Sequence, residues 1–282
     1  MQVCQEIKKL RNLLDQYRYD GKAIGFVPTM GYLHKGHLSL IESSAKENDI
    51  TVLSIYINPT QFGPNEDLDQ YPRDLENDKK LAEEAGADII FIPDNEMMYK
   101  THHATFVNVN GLTNHLCGAS RPTHFEGVTT IVTKLFNIVQ PNRAYFGQKD
   151  AQQAIVIKRM VEDLNMPLKV VVCPIVREKD GLAMSSRNAY LSKEERKQAT
   201  ILYKALQEAK SRIEQGQRSA TEIRDLMEQM IQTQPAATID YVSIVSEKTL
   251  EDIDVLEGKI LIALAVKMGK TRLIDNLRLE VN

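Results

Sequence analysis

From Lys22 onward, short β-branched runs alternate with longer amphipathic periods: "KAIGFVPT", "LSLIESSAKEN", "ITVLSIYI", "RDLENDKKLAEEAG" and "ADIIFIP". The brief, nearly continuous apolar runs read as buried strands, and the stretches with apolar residues at i, i+3, i+4 and i+7 read as helices. This β-α-β-α rhythm predicts a parallel sheet covered by helices. Because such crossovers are right-handed, a Rossmann-like core is the expected arrangement. The stretch from Asp94 to Glu126 is less regular. It carries Gly111, Gly118 and Pro122 and predicts loops with a short strand near "ATFVNVN". The rhythm then resumes with "GVTTIVTKLFNIV" as helix, "RAYFG" as strand, "DAQQAIVIKRMVEDLN" as helix and "LKVVVCPIV" as strand, so the sheet is expected to run to about Val176.

Beyond "REKDGLAMSSRNAYLS" the pattern changes. "KEERKQATILYKALQEAKSRIEQGQ" and "ATEIRDLMEQMIQ" are two helical periods with no strand between them, followed by "IDYVSIVS", "KILIALAVKMG" and "TRLIDNLRLEV" as strands, the last two joined near Gly269 and Lys270. The expected fold is therefore α/β: a Rossmann-like parallel-sheet domain over residues 1–186 and a second, smaller α+β C-terminal domain over residues 187–282. No internal repeat or low-complexity segment interrupts this reading.

Composition narrows the class. Over 282 residues, 43% hydrophobic and 26% charged content is ordinary for a soluble globular protein. No segment approaches the roughly 18 consecutive apolar residues of a membrane span. The amphipathic, charged start "MQVCQEIKKLRNLLDQYRYDGK" lacks the basic tip and apolar stretch of a secretory leader, which points to the cytoplasm. Cys4, Cys117 and Cys173 are an odd number without a C-x-x-C pair, so they read as reduced thiols rather than a disulfide framework or zinc site. The net charge of -3 lacks the footprint of a nucleic-acid binder and still allows a local basic cleft for a small anionic substrate.

Candidate chemistry begins at "PTMGYLHKGHLSLI", Pro28 to Ile41. His34 and His37 lie on one helical face, which admits a metal pair, yet no third ligand or H-E-x-x-H motif accompanies them. Their place, where the first core strand turns into its helix, offers free backbone N-H groups and a positive helix end to an anion. Gly36 costs about 1 kcal/mol against Ala inside a helix, and without a Cβ it lets a ring or phosphate approach the backbone. The histidines can then donate to phosphate oxygens that gain charge.

Three further blocks follow. "NPTQFG", Asn58 to Gly63, comes directly after a strand and places Gln61 where ligands collect in open α/β sheets; its amide both donates and accepts, although Pro59 and Gly63 also suit a plain turn. In "YFGQKDAQQ" a strand ends at Gly147 and Lys149 and Asp150 open a helix. A cation beside free N-H groups can hold phosphate or ribose, and Gln153 follows one turn on; a solvated Lys-Asp pair is the other reading. In "GLAMSSRNAYLS", Ser185, Ser186 and Arg187 suit triphosphate oxygens, while Ser192 and Glu195 fit a capping box at the start of a helix.

Taken together, these ordered blocks make the chain resemble the pantoate-beta-alanine ligase family of the nucleotidyltransferase superfamily, which shares H-x-G-H with class I aminoacyl-tRNA synthetases. The resemblance covers nearly the whole chain. It implies that Met30, Gly31, Tyr32, Leu33, His34, Lys35, Gly36 and His37 contact ATP, together with Gly147, Gln148, Lys149 and Asp150, with Val176, and with Met184, Ser185, Ser186 and Arg187 in a mobile loop. It further implies that Asn58, Gln61, Gln153 and Arg121 bind pantoate or beta-alanine. His37, His34, Lys149 and Arg187 are the expected catalytic residues, with His37 either moving a proton or only stabilising charge. His124 either contacts substrate or packs.

Cys117, Thr123 and Gln148 depart from the usual Glu, Gly and Glu of the family pattern. The implied reaction activates the pantoate carboxylate with ATP, releases pyrophosphate, and lets beta-alanine displace AMP from pantoyl-adenylate. Magnesium is expected on the phosphates, with no metal held by protein side chains. A homodimer is implied, with the C-terminal domain as a lid. A transferase acting on a phosphate acceptor fits less well, since Gln61 and Gln153 supply neutral amides where cations would be needed. A tRNA ligand fits poorly too: residues 188–282 hold 14 Lys and Arg against 15 Asp and Glu, a net of -1. A non-catalytic nucleotide-binding module would not need two substrate glutamines.

Overall fold

The structure, a computed structural model, describes residues 1–64 and 66–282. The chain first runs through β1 (Gln2–Cys4), α1 (Ile7–Tyr19), β2 (Ile24–Thr29), α2 (Lys35–Glu47), β3 (Ile50–Ile55), α3 (Leu75–Glu84) and β4 (Ile89–Phe91). It continues through α4 (Asn95–Met98), α5 (Leu116–Ser120), α6 (His124–Val139), β5 (Arg143–Gly147), α7 (Ala151–Asp163) and β6 (Lys169–Cys173). The six strands form one sheet in the order β1-β4-β3-β2-β5-β6, and every pairing is parallel. This is the Rossmann-like sheet that the alternating pattern predicts. From β2 the chain builds outward through β3 and β4, then returns to the other side of β2 for β5, so the order reverses between β2 and β5. In open α/β sheets that reversal is where ligands bind, beyond the carboxyl ends of the strands.

Side chains alternate across the sheet. Val27, Leu53 and Ile90 face Leu40 and Ile41 of α2 and Ala82 of α3. On the opposite face Phe26 meets Phe136 of α6 edge-on at 6.4 Å between ring centroids. The seat of α2 depends on Gly25, where a Cβ would overlap the side chains of Ser44 and Asn48. Only glycine lets the helix come this close, and the closeness fixes where the start of α2 lies.

Two local expectations are corrected, and one strand is added. "ATFVNVN" forms no strand: at Val107 the backbone pairs with α6 instead, Thr130 Oγ1 accepting from Val107 N at 3.0 Å and Thr129 Oγ1 donating to Val107 O. The strand added is β1, which pairs with β4 and is too short to carry a periodic signal. The last parallel strand ends at Cys173 rather than about Val176; Pro174, with no N-H, follows it.

The remainder comprises α8 (Lys193–Gln198), α9 (Ile201–Glu214), α10 (Ala220–Gln232), β7 (Ala237–Ser246), β8 (Gly258–Met268) and β9 (Thr271–Val281). The long helical period over residues 193–214 is divided at Ala199 and Thr200. The expected strands form an antiparallel sheet, β7-β8-β9, with β8 and β9 joined at Gly269, whose φ of 60° suits the tight turn. Ile260, Ile262, Leu264 and Val266 of β8 pack with Leu202 and Leu206 of α9 and Ile223 and Met227 of α10. Contacts divide the chain into two compact units: residues 1–110, 121–148 and 153–174, and residues 111–120, 149–152 and 175–282. The expected boundary at 186/187 falls inside the second. All three cysteines are buried thiols. Among the described residues no helix is long and apolar enough to cross a membrane.

Candidate active site

In the first unit, β2 ends at Thr29 and the chain turns sharply through Gly31 and Tyr32, with φ of 82° and 51°. Asp78 of α3, only 2% exposed, holds this turn. Its carboxylate accepts from Tyr32 N at 2.8 Å and from Leu33 N at 2.6 Å. Burial pushes the Asp78 carboxyl above its ordinary value, and the two backbone N-H groups only partly offset that.

The turn delivers His34 to the N-cap of α2. His34 Nδ1 accepts from Gly36 N at 3.1 Å, and His37 Nδ1 accepts from His34 N at 3.3 Å. The two imidazoles thus form a reciprocal capping box in the places that Ser and Glu usually take. Their rings lie 4.0 Å apart, tilted by 31°. With Nδ1 accepting, the neutral rings carry their proton on Nε2, so each presents that nitrogen as a donor. Gly36 sits in the first turn of the helix, and its N-H is the one that the His34 ring receives.

The second block lies beyond the neighbouring strand β3. Asn58, 1% exposed, donates through Nδ2 to Gly127 O at 3.0 Å and to Gln61 Oε1 at 3.4 Å. Gln61 Nε2 donates to Met30 Sδ at 3.0 Å, joining the first block to the second. From behind, Arg121 Nη2 donates to Gln61 O at 3.2 Å and His124 Nδ1 to the same oxygen at 2.9 Å; a carbonyl can only accept, which settles the His124 donor. The Arg121 guanidinium forks onto Glu66 at 2.6 and 2.5 Å. Burial raises the Glu66 carboxyl, but Arg121 outweighs it and the net value lies below the ordinary one. At Gly127 a Cβ would stand 2.5 Å from Thr60 O, so α6 touches the backbone that carries Gln61.

The third block begins on β5, next to β2 across the reversal point. Gly147 ends the strand, and a Cβ there would meet open space. Gln153 is half-buried in the first turn of α7.

In the second unit, Lys149 Nζ lies 3.6 Å from Asp150 Oδ1, and Gln152, to which the sequence assigned no role, donates to Leu112 O and His115 O at 2.9 and 2.7 Å. Val176 O accepts from Met184 N at 3.0 Å. Ser185 Oγ caps the short turn from Ser186, accepting from Arg187 N at 3.3 Å, and Ser186 is buried. Ser192 and Glu195 form the expected capping box. The structure thus gathers Met30, His34, His37, Asn58, Gln61 and Arg121 in the first unit, and Lys149, Asp150, Val176 and Met184 to Arg187 in the second.

Sequence reasoning missed Asp78 and Glu66, which hold the turn before α2 and Arg121, and it passed over the buried contacts of Asp275 with Arg177 and of Asn276 with Lys149 O. Asp78 and Glu66 lie in charged stretches and look solvated. Asp275 left a signal: in "RLIDNLRL" it falls in phase with Leu273 and Leu277.

A parallel sheet with an H-x-G-H helix start beside its reversal point places the chain among α/β proteins that bind ligands at the carboxyl ends of their strands. The profile of the pantoate-beta-alanine ligase family matches residues 2–278, and the chain belongs to that family. It is 59% identical over 281 residues to the pantothenate synthetase of Acetivibrio thermocellus, covering 100% of both chains. It is similar to the crystal structure of pantothenate synthetase from Thermus thermophilus, with a TM-score of 0.94, 47% identity and 98% and 99% of the two chains covered. It also resembles pantoate-beta-alanine ligase from Francisella tularensis complexed with beta-gamma ATP and beta-alanine, with a TM-score of 0.80, 33% identity and 98% and 97% covered.

Proposed function

We propose that the chain joins pantoate to beta-alanine with consumption of ATP, through pantoyl-adenylate, releasing pyrophosphate and then AMP. Family membership supports the reaction class. The observation that carries the site is the contact of Gln61 Nε2 with Met30 Sδ at 3.0 Å, which brings the pantoate block against the turn that feeds the H-x-G-H helix.

A carboxylate is a poor electrophile, and adenylation converts its oxygen into part of a leaving group. In the first step the pantoate carboxylate attacks the α-phosphorus while charge moves to pyrophosphate. Such a step needs fixed donors and cations rather than a protein nucleophile. His34 and His37 donate from Nε2 to phosphate oxygens, with Nδ1 of each ring held as an acceptor by the helix start. Lys149 and Arg187 supply cations, and Ser185 and Ser186 supply hydroxyls. Gln61, Asn58 and Gln153 address the hydroxy acid, and Arg121 acts on Gln61 through its backbone. Beta-alanine then attacks the acyl carbon and AMP leaves.

Magnesium bound with ATP would offset phosphate charge, since this ion usually binds through substrate phosphates and few carboxylates. A cytoplasmic homodimer completes the proposal, with sedimentation equilibrium as the check on assembly.

The deciding experiment is labelled pyrophosphate exchange. Exchange that requires pantoate is expected, and His37→Ala lowers it by about a hundred- to a thousandfold. Absence of exchange with every candidate acid would instead indicate a nucleotide-binding module, and undiminished exchange in His37→Ala would remove that residue from the chemistry.

A further inference from the structure

Asp275 occupies a position where an apolar residue belongs. It lies on β9 directly across from Leu264 of β8, in phase with Leu273 and Leu277, and those three leucines belong to the helix-covered core. Only 2% of it is exposed. A carboxylate there has lost its hydration and needs other groups in its place. Arg177 supplies them: Nη1 donates to Oδ2 at 2.6 Å and Nη2 to Oδ1 at 2.9 Å. The same guanidinium lies over the Tyr203 ring of α9 at 4.2 Å and donates to Gly181 O at 3.0 Å.

Arg177 also opens the segment that leads to Ser185 and Arg187. Its backbone bridges to Ala183, and Asn188 Nδ2 donates to Ala183 O and Glu178 Oε1, both at 3.1 Å. The Arg177–Asp275 pair is therefore one buried anchor of this loop on β9. The next residue on the strand points to the other face. Asn276, 3% exposed, donates through Nδ2 to Lys149 O at 2.9 Å, while its backbone N donates to Asp275 Oδ1 at 2.8 Å. Two consecutive residues thus hold both cationic segments.

We propose that Arg177, Asp275 and Asn276 are positioning residues for adenylation, with β9 as the common reference that sets Lys149 and Ser185 to Arg187 at one spacing for the ATP phosphates. The proposal rests on the ligase reading above. None of the three needs to touch substrate. Preplaced donors lose most of their effect when displaced by a fraction of an ångström to an ångström, so a loosened reference costs rate while the fold survives.

The test uses the full chain with Asn276→Ala, Arg177→Lys and the double variant Arg177→Met with Asp275→Leu. Pantoate-dependent pyrophosphate exchange is measured across ATP concentrations, beside the reaction of supplied pantoyl-adenylate with beta-alanine and the thermal midpoint. Exchange kcat is expected to fall about ten- to a hundredfold in each variant, with the pantoate KM and the second half-reaction near wild type. The double variant replaces the pair by apolar groups and keeps the native midpoint, so a purely structural pair would regain its rate there. Wild-type exchange per folded molecule in Asn276→Ala or in the double variant overturns the proposal. A wild-type chain without pantoate-dependent exchange overturns the ligase reading and the proposal with it, whereas active wild type with active variants removes the proposal alone.

Discussion

At Asp78 one carboxylate holds two consecutive backbone N-H groups of the turn that carries Tyr32 and Leu33. Removing it leaves both donors without their acceptor, which costs about 1–3 kcal/mol for each group that water does not reach. Asp78→Ala is expected to lower the urea unfolding free energy by about 2 kcal/mol or more. Glu76→Ala on the same helix, where the side chain is 85% exposed, changes it by about 0.5 kcal/mol or less. Equal melts for the two variants would sink the assignment. The sequence singled out His34, Gln61 and Lys149 because they follow strand ends, where ligands collect in open α/β sheets. It did not mark Asp78, because a carboxylate in a helix rich in Glu and Lys looks solvated until the fold shows what lies against it.

Among the elements, α6 does more than cover the sheet. Through Gly127 it touches the backbone at Thr60, and through His124, with Arg121 just ahead of it, it fastens the carbonyl of Gln61. A methyl group at residue 127 must push that turn away, and overpacking of this kind typically costs about 1–3 kcal/mol. Gly127→Ala is therefore expected to weaken pantoate binding by calorimetry while ATP binding changes little, and a variant with unaltered pantoate affinity would show that the turn does not answer to α6. Long periodic elements were legible because burial imposes period on them. Three kinds were not: β1, too short to show a period; the extended run near Val107, whose β-branched residues suit a strand but whose partners are threonine hydroxyls; and the division at Ala199, which leaves helical periodicity almost intact.

For the whole molecule, carboxylates with shifted protonation set the response to acid. Asp78 is raised by burial, so as pH falls the native state takes up this proton before the unfolded chain, and stability gains slightly. Glu66 is lowered on balance, with burial opposing and Arg121 prevailing. Asp180 is lowered first by its hydrogen bond from Arg196, in a more exposed and therefore screened pair. For these two, stability is present above the ordinary carboxylate range of about 3.9–4.3 and is lost as pH falls below it. Calorimetric midpoints are expected to hold or rise slightly from pH 7 toward about 4.5 and to fall below about 4, with a shallower fall in Glu66→Gln. A steady decline beginning near neutrality, alike in both proteins, would contradict this account.

The paired imidazoles at the start of α2 change how substitutions there must be interpreted. Since each ring closes a backbone N-H of the helix start, an alanine at either place removes a cap as well as a donor, and a lost cap alone is worth about 1 kcal/mol. The two losses can be separated at residue 34, because asparagine is among the best N-caps and has no imidazole. His34→Asn should melt like the parent in circular dichroism while His34→Ala melts lower. Whatever rate defect the two variants share then belongs to the ring's Nε2, and the remainder to the helix.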